Sequence, residues 1–389
     1  MKDTTENGIN RMIDFLMTHY AFRYNVVMSC TEYRPVDRPV NCFAPLTPRT
    51  RRRIALEVMR EGIEVSPNDV ANYIESDYVR AFDPVGDFLA ECQDAWDGHD
   101  HIGELADTVP TDAPHWKEWF TTWVLAMVSQ WQNVPGRLYG NSIAPLLISP
   151  QGYNKSTFCR RLLPEVLQWG YTDSLAMTDR RQVMLAMSQQ LLINLDEFNQ
   201  ISPRMQQGFL KNIIQLPTIK AKRPYGTHVE ELPRKASFIA TSNMTDILSD
   251  PSGNRRFIGI ELTAPIDTSR VPDHRQVFAQ ALQMLRNGQR CWFDKTETER
   301  IMQWNRRYEI QEPAEQYFRM CFAPANDATV AGAVWLSAAE IFDVVKRRAG
   351  ASLKVNSLMS FGRKLANMPG MRRRKYEQGA KYLVTRVEG

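Results

Sequence analysis

The hydrophobic positions change period several times along the chain, and these changes separate helical from mixed segments. Near the start, apolar residues recur at helical spacing, namely Ile9, Met12, Ile13, Leu16 and Tyr20. The basic stretch 47–74 then predicts two helices separated by a Gly-containing turn. We therefore expect a mostly helical module over about the first hundred residues.

The middle of the chain shows a different pattern. Residues 115–131 predict a further helix, and apolar runs at 142–149, 191–197 and 236–243 are typical of buried strands. The first run leads through the loop PQGYNK into the helical stretch STFCRRLLPEVL. Strand, loop and helix in this order are expected of a P-loop unit, so the predicted fold class is α/β.

After about residue 265 the pattern returns to helix, and residues 326–389 form a separate segment. One apolar helix face is predicted there by Val355, Leu358, Phe361 and Leu365. The closing stretch MRRRKYEQGAKYLVTRV predicts two short strands around Gln378-Gly379. Helices followed by a basic hairpin suggest a winged-helix-like domain.

Composition narrows the class of protein. The 389 residues are 43% hydrophobic and 24% charged, which is globular usage and indicates two or three domains. No run of about 18 apolar residues occurs, so we expect a cytoplasmic protein without membrane contact. The net charge is +4, but the last fifty residues carry 12 Lys and Arg against 4 Asp and Glu. A basic terminal segment on a mildly acidic body favours nucleic acid as partner.

The strongest local signal for chemistry is the segment SPQGYNKST, residues 149–157. Lys155 suits the β- and γ-phosphates of a nucleotide, and Ser156 suits Mg²⁺. Ser149 and Asn154 replace the two usual loop glycines, although Asn readily enters the left-handed region. The predicted nucleotide-binding residues are Gln151, Gly152, Tyr153, Asn154, Lys155, Ser156 and Thr157. The alternative is an ordinary turn from strand to helix.

The ends of two later strands carry polar residues that could act on the same nucleotide. Asp196 and Glu197 follow an apolar strand, where one carboxylate can hold Mg²⁺ and the other can orient the attacking water. The alternative is an acidic pair that caps the next helix. Asn243 ends the following apolar strand and can bind the water or the γ-phosphate.

Beyond the third strand lies a pair of arginines, Arg255 and Arg256. Planar guanidinium donors suit the charge that develops during phosphoryl transfer, so this pair is a candidate finger for a neighbouring subunit's nucleotide. The alternative is a pair that bridges acidic residues of its own loop.

The joint occurrence of PQGYNKSTF, LINLDEF, KRPYG, ASFIATSN and DPSGNRRF, preceded by AWDGHDHI and VPGRLYGN, resembles the virulence-associated E (VapE-like) family of phage and mobile-element proteins. The similarity covers roughly residues 10–265, and that family resembles superfamily 3 helicases, whose AAA+-type core assembles into a ring on DNA. The resemblance implies nucleotide and Mg²⁺ roles for Lys155, Ser156 and Asp196, a water-orienting role for Glu197, a sensor role for Asn243 and a finger role for Arg255 or Arg256.

Three basic clusters are candidates for phosphate contact. The segment before the third strand has a turn that could present a hairpin tip to DNA, with Lys220, Lys222, Arg223, Tyr225 and His228. The C-terminal segment has four consecutive cations, Arg372, Arg373, Arg374 and Lys375. For both, the alternative is a solvated basic strand without a ligand. The third cluster, with Arg49, Arg51, Arg52 and Arg53, is read first as a solvated helix face.

We therefore expect an ATP-dependent, Mg²⁺-requiring, ring-forming helicase or translocase that moves on single-stranded DNA during replication of a mobile element. The ring is expected to be a homo-hexamer, with replication proteins of the element as further partners. The alternatives are a nucleotide-binding regulatory or phage-interference protein with little hydrolysis, and a fragment of a primase-helicase. The expected parts are a helical collar (1–105), a P-loop ATPase core (106–265), a helical connector (266–325) and a basic winged-helix-like DNA-binding domain (326–389).

Overall fold

A computed structural model describes residues 2–39, 42–133, 140–222, 228–249, 254–310, 313–327, 329–350, 358–368, 370–376 and 379–387. Two compact units divide the chain, Met1–Tyr308 and Glu309–Gly389. The predicted connector 266–325 is therefore shared, because its helices belong partly to each unit. In the parts of the chain listed above, no helix has the length and apolar character needed to cross a bilayer.

The first unit begins with three helices around a small core. They are α1 (Lys2–His19), α2 (Pro48–Arg60) and α3 (Pro67–Ile74). Thr47 caps α2 by accepting from the amide of Thr50, and Ser66 forms a capping box with Asp69 at the start of α3. The core residues include Met12, Leu16, Ile54, Val58, Val70 and Ile74. The two-helix prediction for residues 47–74 is thus confirmed.

This region also contains a four-stranded sheet that the hydrophobic pattern did not predict. The strands are β1 (Tyr20–Asn25), β2 (Cys30–Pro35), β3 (Ala44–Pro45) and β4 (Ala81–Phe82), in the order β3-β2-β1-β4. The strands β1 and β2 are half-buried along most of their length. They consequently lack the apolar–polar alternation by which a strand is recognised in sequence.

Three helices follow, α4 (Pro84–Cys92), α5 (His101–Asp107) and α6 (Trp116–Trp131). The predicted helix at 115–131 is confirmed as α6, and its four tryptophans are buried. Trp131 stacks on Phe278 with 5.2 Å between ring centroids. This contact joins α6 to a helix from the far end of the first unit.

The centre of the first unit is a five-stranded parallel sheet. Its strands are β5 (Ala144–Ile148), β6 (Tyr171–Thr172), β7 (Leu192–Leu195), β10 (Ser237–Ser242) and β11 (Phe257–Glu261), in the order β11-β5-β10-β7-β6. β5, β7 and β10 are buried at every position, as expected for a sheet covered on both faces. The predicted α/β class and the three predicted strands are confirmed.

Helices and one hairpin connect these strands. α7 (Lys155–Arg161) follows β5, and α8 (Arg180–Gln189) precedes β7. A helical stretch then runs through α9 (Pro203–Met205), a π-helical turn (Gln206–Leu210) and α10 (Lys211–Ile213). The antiparallel strands β8 (Thr218–Ala221) and β9 (Glu230–Pro233) form the predicted hairpin. Its tip, with Arg223 and Tyr225, lies outside the described residues.

The first unit closes with α11 (His274–Arg286) and α12 (Lys295–Asn305). Asn305 is fully buried and ties α12 to the start of β11. Its Nδ2 donates to the carbonyls of Asn254 (2.8 Å) and Phe257 (2.6 Å), and its Oδ1 accepts from the Gly259 amide (3.0 Å). The position of the Arg255 turn therefore depends on α12.

The second unit contains α13 (Pro313–Cys321), β12 (Phe322–Pro324), β13 (Ala333–Ser337), α14 (Ala338–Ala349), α15 (Leu358–Asn367), β14 (Arg373–Tyr376) and β15 (Gly379–Arg386). Its sheet has the order β12-β15-β13, and β14 pairs with β15. Phe361 and Leu365 are buried as the helical pattern predicted, whereas Leu358 is exposed and Val355 lies outside the described residues. The closing two-stranded prediction is confirmed by the β14–β15 pair.

Gly259 offers a test of the contact between β11 and the 3₁₀ turn (Arg306–Tyr308) that follows α12. A Cβ at this position would lie 2.2 Å from Cδ2 of the buried Tyr308 ring. We expect Gly259→Ala to lower the free energy of unfolding by about 1–3 kcal/mol, seen as a lower urea midpoint. Gly208→Ala is the control, because a Cβ there meets nothing within 4 Å. Equal urea midpoints for the two variants would contradict close packing between Gly259 and Tyr308.

Candidate nucleotide site

Three strand ends of the central sheet meet at one edge. β10 lies between β5 and β7, with Ser242 opposite Ile148 and Ala240 opposite Leu195. Because all three strands are parallel, the residues that follow them lie on the same edge. The Ser149 amide donates to the Ser242 carbonyl over 3.1 Å, which continues the pairing beyond the strands.

The Lys155 ammonium is surrounded by oxygens at this edge. Its Nζ donates to Ser149 O and Ser149 Oγ (both 2.8 Å), to Pro150 O (3.0 Å) and to Asn243 Oδ1 (3.0 Å). The structure therefore brings together Lys155 and Asn243, 88 residues apart in sequence. All four of these acceptors are uncharged groups.

Burial acts on the charge of Lys155. The residue is only 8% exposed. Burial lowers the pKa of its ammonium, while the nearby Asp196 carboxylate acts in the opposite direction. Because the hydrogen-bond acceptors of this ammonium are all neutral, its positive charge attracts an anion.

The loop before Lys155 has the backbone that its sequence predicted. Asn154 has φ 61° and ψ 18°, in the left-handed region, and Gly152 has φ 83°. Asn154 also donates from Nδ2 to the Ile266 carbonyl over 3.0 Å. Asn thus supplies both the left-handed turn and an anchor that Gly lacks. Gln151, Gly152, Ser156 and Thr157 are exposed, and Tyr153 is half-buried.

The acidic pair lies at the end of β7. β10 separates this strand from β5, which precedes the Lys155 loop. Asp196 accepts a hydrogen bond from the Thr241 hydroxyl, and Glu197 accepts one from the Gln200 amide. Both carboxylates belong to exposed residues. Glu197 has φ 48°, an unfavourable value for a residue with a Cβ, and such strain concentrates at functional positions.

The oxygen groups at this edge suit a hard divalent cation. Ser156 offers a hydroxyl and Asp196 a carboxylate, which are ligand types that Mg²⁺ accepts. Among the residues described, no group of three His, Cys, Asp or Glu side chains could hold a metal by itself. A Mg²⁺ ion here would need phosphate or water oxygens to complete its coordination.

The two arginines of the candidate finger lie at the amino-terminal ends of the strands, opposite the edge that carries the loop. They sit in a 3₁₀ turn (Asn254–Arg256) directly before β11, whose first residue Phe257 is opposite Ala144 at the start of β5. Arg256 is buried and donates to Gln215 Oε1 over 3.0 Å, whereas Arg255 is exposed. The structure therefore separates the pair into a buried residue and an exposed one.

The described part of the β8–β9 hairpin is balanced in charge. Lys220 and Lys222 are exposed, but Lys220 is directly opposite Glu231, and Glu230 lies nearby on β9. His228 is also exposed and lies between the tip and β9. A net positive charge on this hairpin would have to come from the tip.

The four consecutive cations of the second unit are all exposed. Arg372 precedes β14, and Arg373, Arg374 and Lys375 lie on it. Arg374 is directly opposite Lys381 on β15, and like charges in this position destabilise a strand pair. The Lys381 ammonium lies over the Tyr376 ring, 5.5 Å from its centroid.

A cavity of about 250 Å³ adjoins the loop, and its walls come from three distant parts of the sequence. Phe158 and Arg161 of α7 form one wall, residues of α5 another and residues 267–273 a third. The loop is bonded to Ile266, which lies directly before the third wall and whose amide donates to the Tyr153 carbonyl over 3.2 Å. Apart from Phe158 and His101, which lie in the PQGYNKSTF and AWDGHDHI segments, no sequence motif marked these residues, because only the fold brings them together.

Comparisons with known proteins come from two family models and from solved structures. The virulence-associated protein E-like domain matches residues 89–310. A domain of unknown function, DUF3874, matches residues 311–384. A comparison with curated protein sequences gave no significant match.

Solved structures similar to this chain include three of the NrS-1 C-terminal region. The apo structure of residues 305–718 has a TM-score of 0.48 at 11% identity, over 98% of this chain and 99% of that one. Its A form has a TM-score of 0.49 at 11% identity, over 98% and 99% of the two chains. A further A-form structure has a TM-score of 0.49 at 11% identity, over 97% and 98%.

The first of these family matches spans more than half of the chain and includes every residue of the sheet edge described above. It agrees with the resemblance inferred from the sequence motifs. The chain belongs to the virulence-associated protein E-like domain family.

Proposed function

We propose that this protein is an ATP-driven, ring-forming DNA helicase or translocase of a phage or mobile genetic element. The observation that carries the proposal is the position of the Lys155 ammonium, 3.0 Å from Asn243 at the edge where the acidic end of β7 also lies. A cation, a polar sensor and two carboxylates at neighbouring ends of parallel strands are the parts that ATP hydrolysis requires. Family membership supports the mobile-element context.

The neutral acceptors around Lys155 suit a site that exchanges them for phosphate. Hydrogen bonds from an ammonium to charged oxygens are roughly twice as strong as those to neutral ones. An arriving triphosphate can therefore displace Ser149, Pro150 and Asn243 from Nζ. Freed from Lys155, the Asn243 amide becomes available to the γ-phosphate or to water.

The remaining roles follow from the exposed oxygens. Ser156 and Asp196 would hold Mg²⁺, which neutralises phosphate charge when bound. Thr241 orients Asp196 by its hydroxyl. Glu197, on the strained turn after Asp196, would accept a proton from the attacking water. The cavity beside α7, with Phe158 on its wall, would take the base and sugar of the same nucleotide.

The position of Arg255 supports an active site shared between neighbouring subunits, as a ring would provide. The five residues of β5 separate the two edges of the sheet by about 16 Å, because a strand rises about 3.3 Å per residue. Arg255 is thus too far from the loop of its own chain to contact the same phosphates. It would instead act on a nucleotide bound by a neighbour, and each active site would need two subunits.

Single-stranded DNA is the proposed substrate of the motor. The AAA+-type core would present the β8–β9 hairpin with its Lys222 to the strand, and Arg223 and Tyr225 of the tip would extend that contact. The winged-helix-like second unit would bind phosphates through β14, whose Arg373, Arg374 and Lys375 are exposed. Such contacts are independent of base sequence.

ATP turnover tests the roles of the loop lysine and of the acidic residue after β7. Lys155→Ala should abolish ATP hydrolysis, and Glu197→Gln should lower kcat by about 10²–10⁴-fold while nucleotide still binds. Hydrolysis is measured with and without single-stranded DNA, together with the mass of the assembly. Lys295→Ala, an exposed lysine of α12, is the matched control and should remain active.

Retained turnover in Lys155→Ala would refute the site. A wild-type protein that binds DNA as a monomer or dimer without hydrolysis would instead support a regulatory protein.

Substitution of Arg255 tests whether this arginine acts on the nucleotide of a neighbouring subunit. Arg255→Ala should lose turnover but keep nucleotide binding, because the residue is exposed and far from its own loop. Mixing it with Lys155→Ala should restore part of the activity, since some interfaces then pair an intact loop with an intact arginine. Arg256→Ala should lower the urea midpoint through loss of its contact with Gln215. No recovery on mixing would argue against a finger acting in trans.

Asn154 stands where a phosphate loop usually has glycine, and substitutions there test its backbone conformation. Asn154→Ala should weaken nucleotide binding about tenfold, because left-handed backbone costs a residue with a Cβ roughly 1–2 kcal/mol and the bond to Ile266 is lost. Asn154→Gly relieves the backbone cost and should bind within about threefold of the wild type. Binding is measured by titration with a fluorescent ATP analogue. If alanine binds as well as glycine, the conformation of this residue is not limiting.

A further inference from the structure

The outer face of α2 carries arginines that the proposed motor does not use. Arg49, Arg52, Arg53, Leu56 and Arg60 line one surface groove together with Glu57. These positions recur every three or four residues, so they occupy a single face, while Ile54, Ala55 and Val58 are buried on the other. The groove runs along most of the helix.

Three arginines of this region, one of them in the groove, have anionic partners, whereas the structure describes none for the other three groove arginines. Arg51 forms an ion pair with Glu75, Arg23 with Glu32 over 2.6 Å, and Arg53 with Glu57 over 2.6 Å. Arg49, Arg52 and Arg60 are exposed and have no ion pair among the residues that the structure describes. The module therefore neutralises part of its positive charge and leaves three guanidinium groups facing the groove.

The amino-terminal end of α2 places Arg49 against the helix dipole, whereas Arg60 in the last turn suits it. The amino-terminal end of a helix carries partial positive charge and favours acidic residues. The first turn of α2 has none, and four arginines occur within its first six residues. Local helix stability therefore does not explain the basic amino-terminal end of α2, whereas an anionic ligand bound along the helix does.

We propose that this groove, the α2 arginine groove, binds the phosphate backbone of a nucleic-acid strand. The three unpaired arginines span about 16 Å along the helix axis, at 1.5 Å per residue. A row of phosphates is a polyanion of matching extent, and guanidinium groups bind phosphate in a bidentate manner. Leu56 is 60% exposed between them and can contact sugars or bases. The choice of nucleic acid over an acidic protein rests on the proposed function.

The test compares two triple variants of the full chain. Arg49→Ala/Arg52→Ala/Arg60→Ala removes the unpaired arginines of the groove. Arg275→Ala/Arg300→Ala/Arg306→Ala removes three arginines that are also exposed, on α11, α12 and the turn after α12. Binding of fluorescein-labelled oligo(dT) is measured without nucleotide at several salt concentrations. Urea midpoints and basal ATP turnover of both variants confirm that the fold is retained.

We expect the groove variant to bind at least tenfold more weakly at 100 mM salt. The slope of log K against log salt should fall by about 2, since each lost phosphate contact contributes about 0.7 for a single strand. The control variant should retain a higher affinity and a steeper salt dependence than the groove variant. Arg49→Lys/Arg52→Lys/Arg60→Lys conserves charge and should retain the slope while losing some affinity.

Three outcomes would overturn the proposal, and they differ in what else they affect. Equal loss in the groove and control variants would exclude a specific site on α2 but leave the motor intact. Reduced assembly mass of the groove variant without DNA would assign the groove to contact between copies of the chain. Absence of DNA binding by the wild type, with Lys155-dependent turnover retained, would remove both the groove and the DNA part of the proposed function.

Discussion

The parallel pairing of β10 between β5 and β7 is the constraint on which the first unit depends. β10 comes later in the chain than both neighbours, yet it bonds to each of them in register. This insertion places the Lys155 loop, Asn243 and the acidic pair at one edge of the sheet. It also directs β11 to the outer side of β5, which carries Arg255 to the opposite edge. One strand order thus creates both halves of the proposed site between subunits.

Some positions of this protein are unfavourable for stability and coincide with residues of the proposed binding sites. Glu197 and Asn154 hold left-handed backbone, and Lys155 holds a largely buried charge. Each of these costs free energy in the isolated chain. Each would also be relieved or used when the phosphates of a nucleotide arrive. Local departures from good packing thereby coincide with the residues of the proposed function.

The arginines show how structure distinguishes residues that look alike in sequence. Arg255 and Arg256 are adjacent, but one is exposed and the other is buried against Gln215. On α2, Arg51 turns towards Glu75 while Arg52 faces the groove. Residues one apart on a helix point about 100° away from each other, so neighbours in a basic run meet different surroundings. A count of basic residues does not reveal this difference.

The sequence by itself determined the α/β class, three of the central strands, the α2–α3 and α6 helices and the hairpin that ends the chain. It also indicated the left-handed turn at Asn154. These features arise from local periodicity and turn chemistry, which a chain expresses without its distant partners. Family motifs indicated which strand ends carry polar residues.

Only the tertiary structure decided which of those residues meet. The contact of Lys155 with Asn243, the bond from Thr241 to Asp196 and the cavity beside α7 all join segments that are far apart in the chain. The sheet of the first hundred residues was missed because its half-exposed strands show no clear alternation. Strand order and the pairing of charges depend on long-range packing, and a single sequence does not contain them as a local pattern.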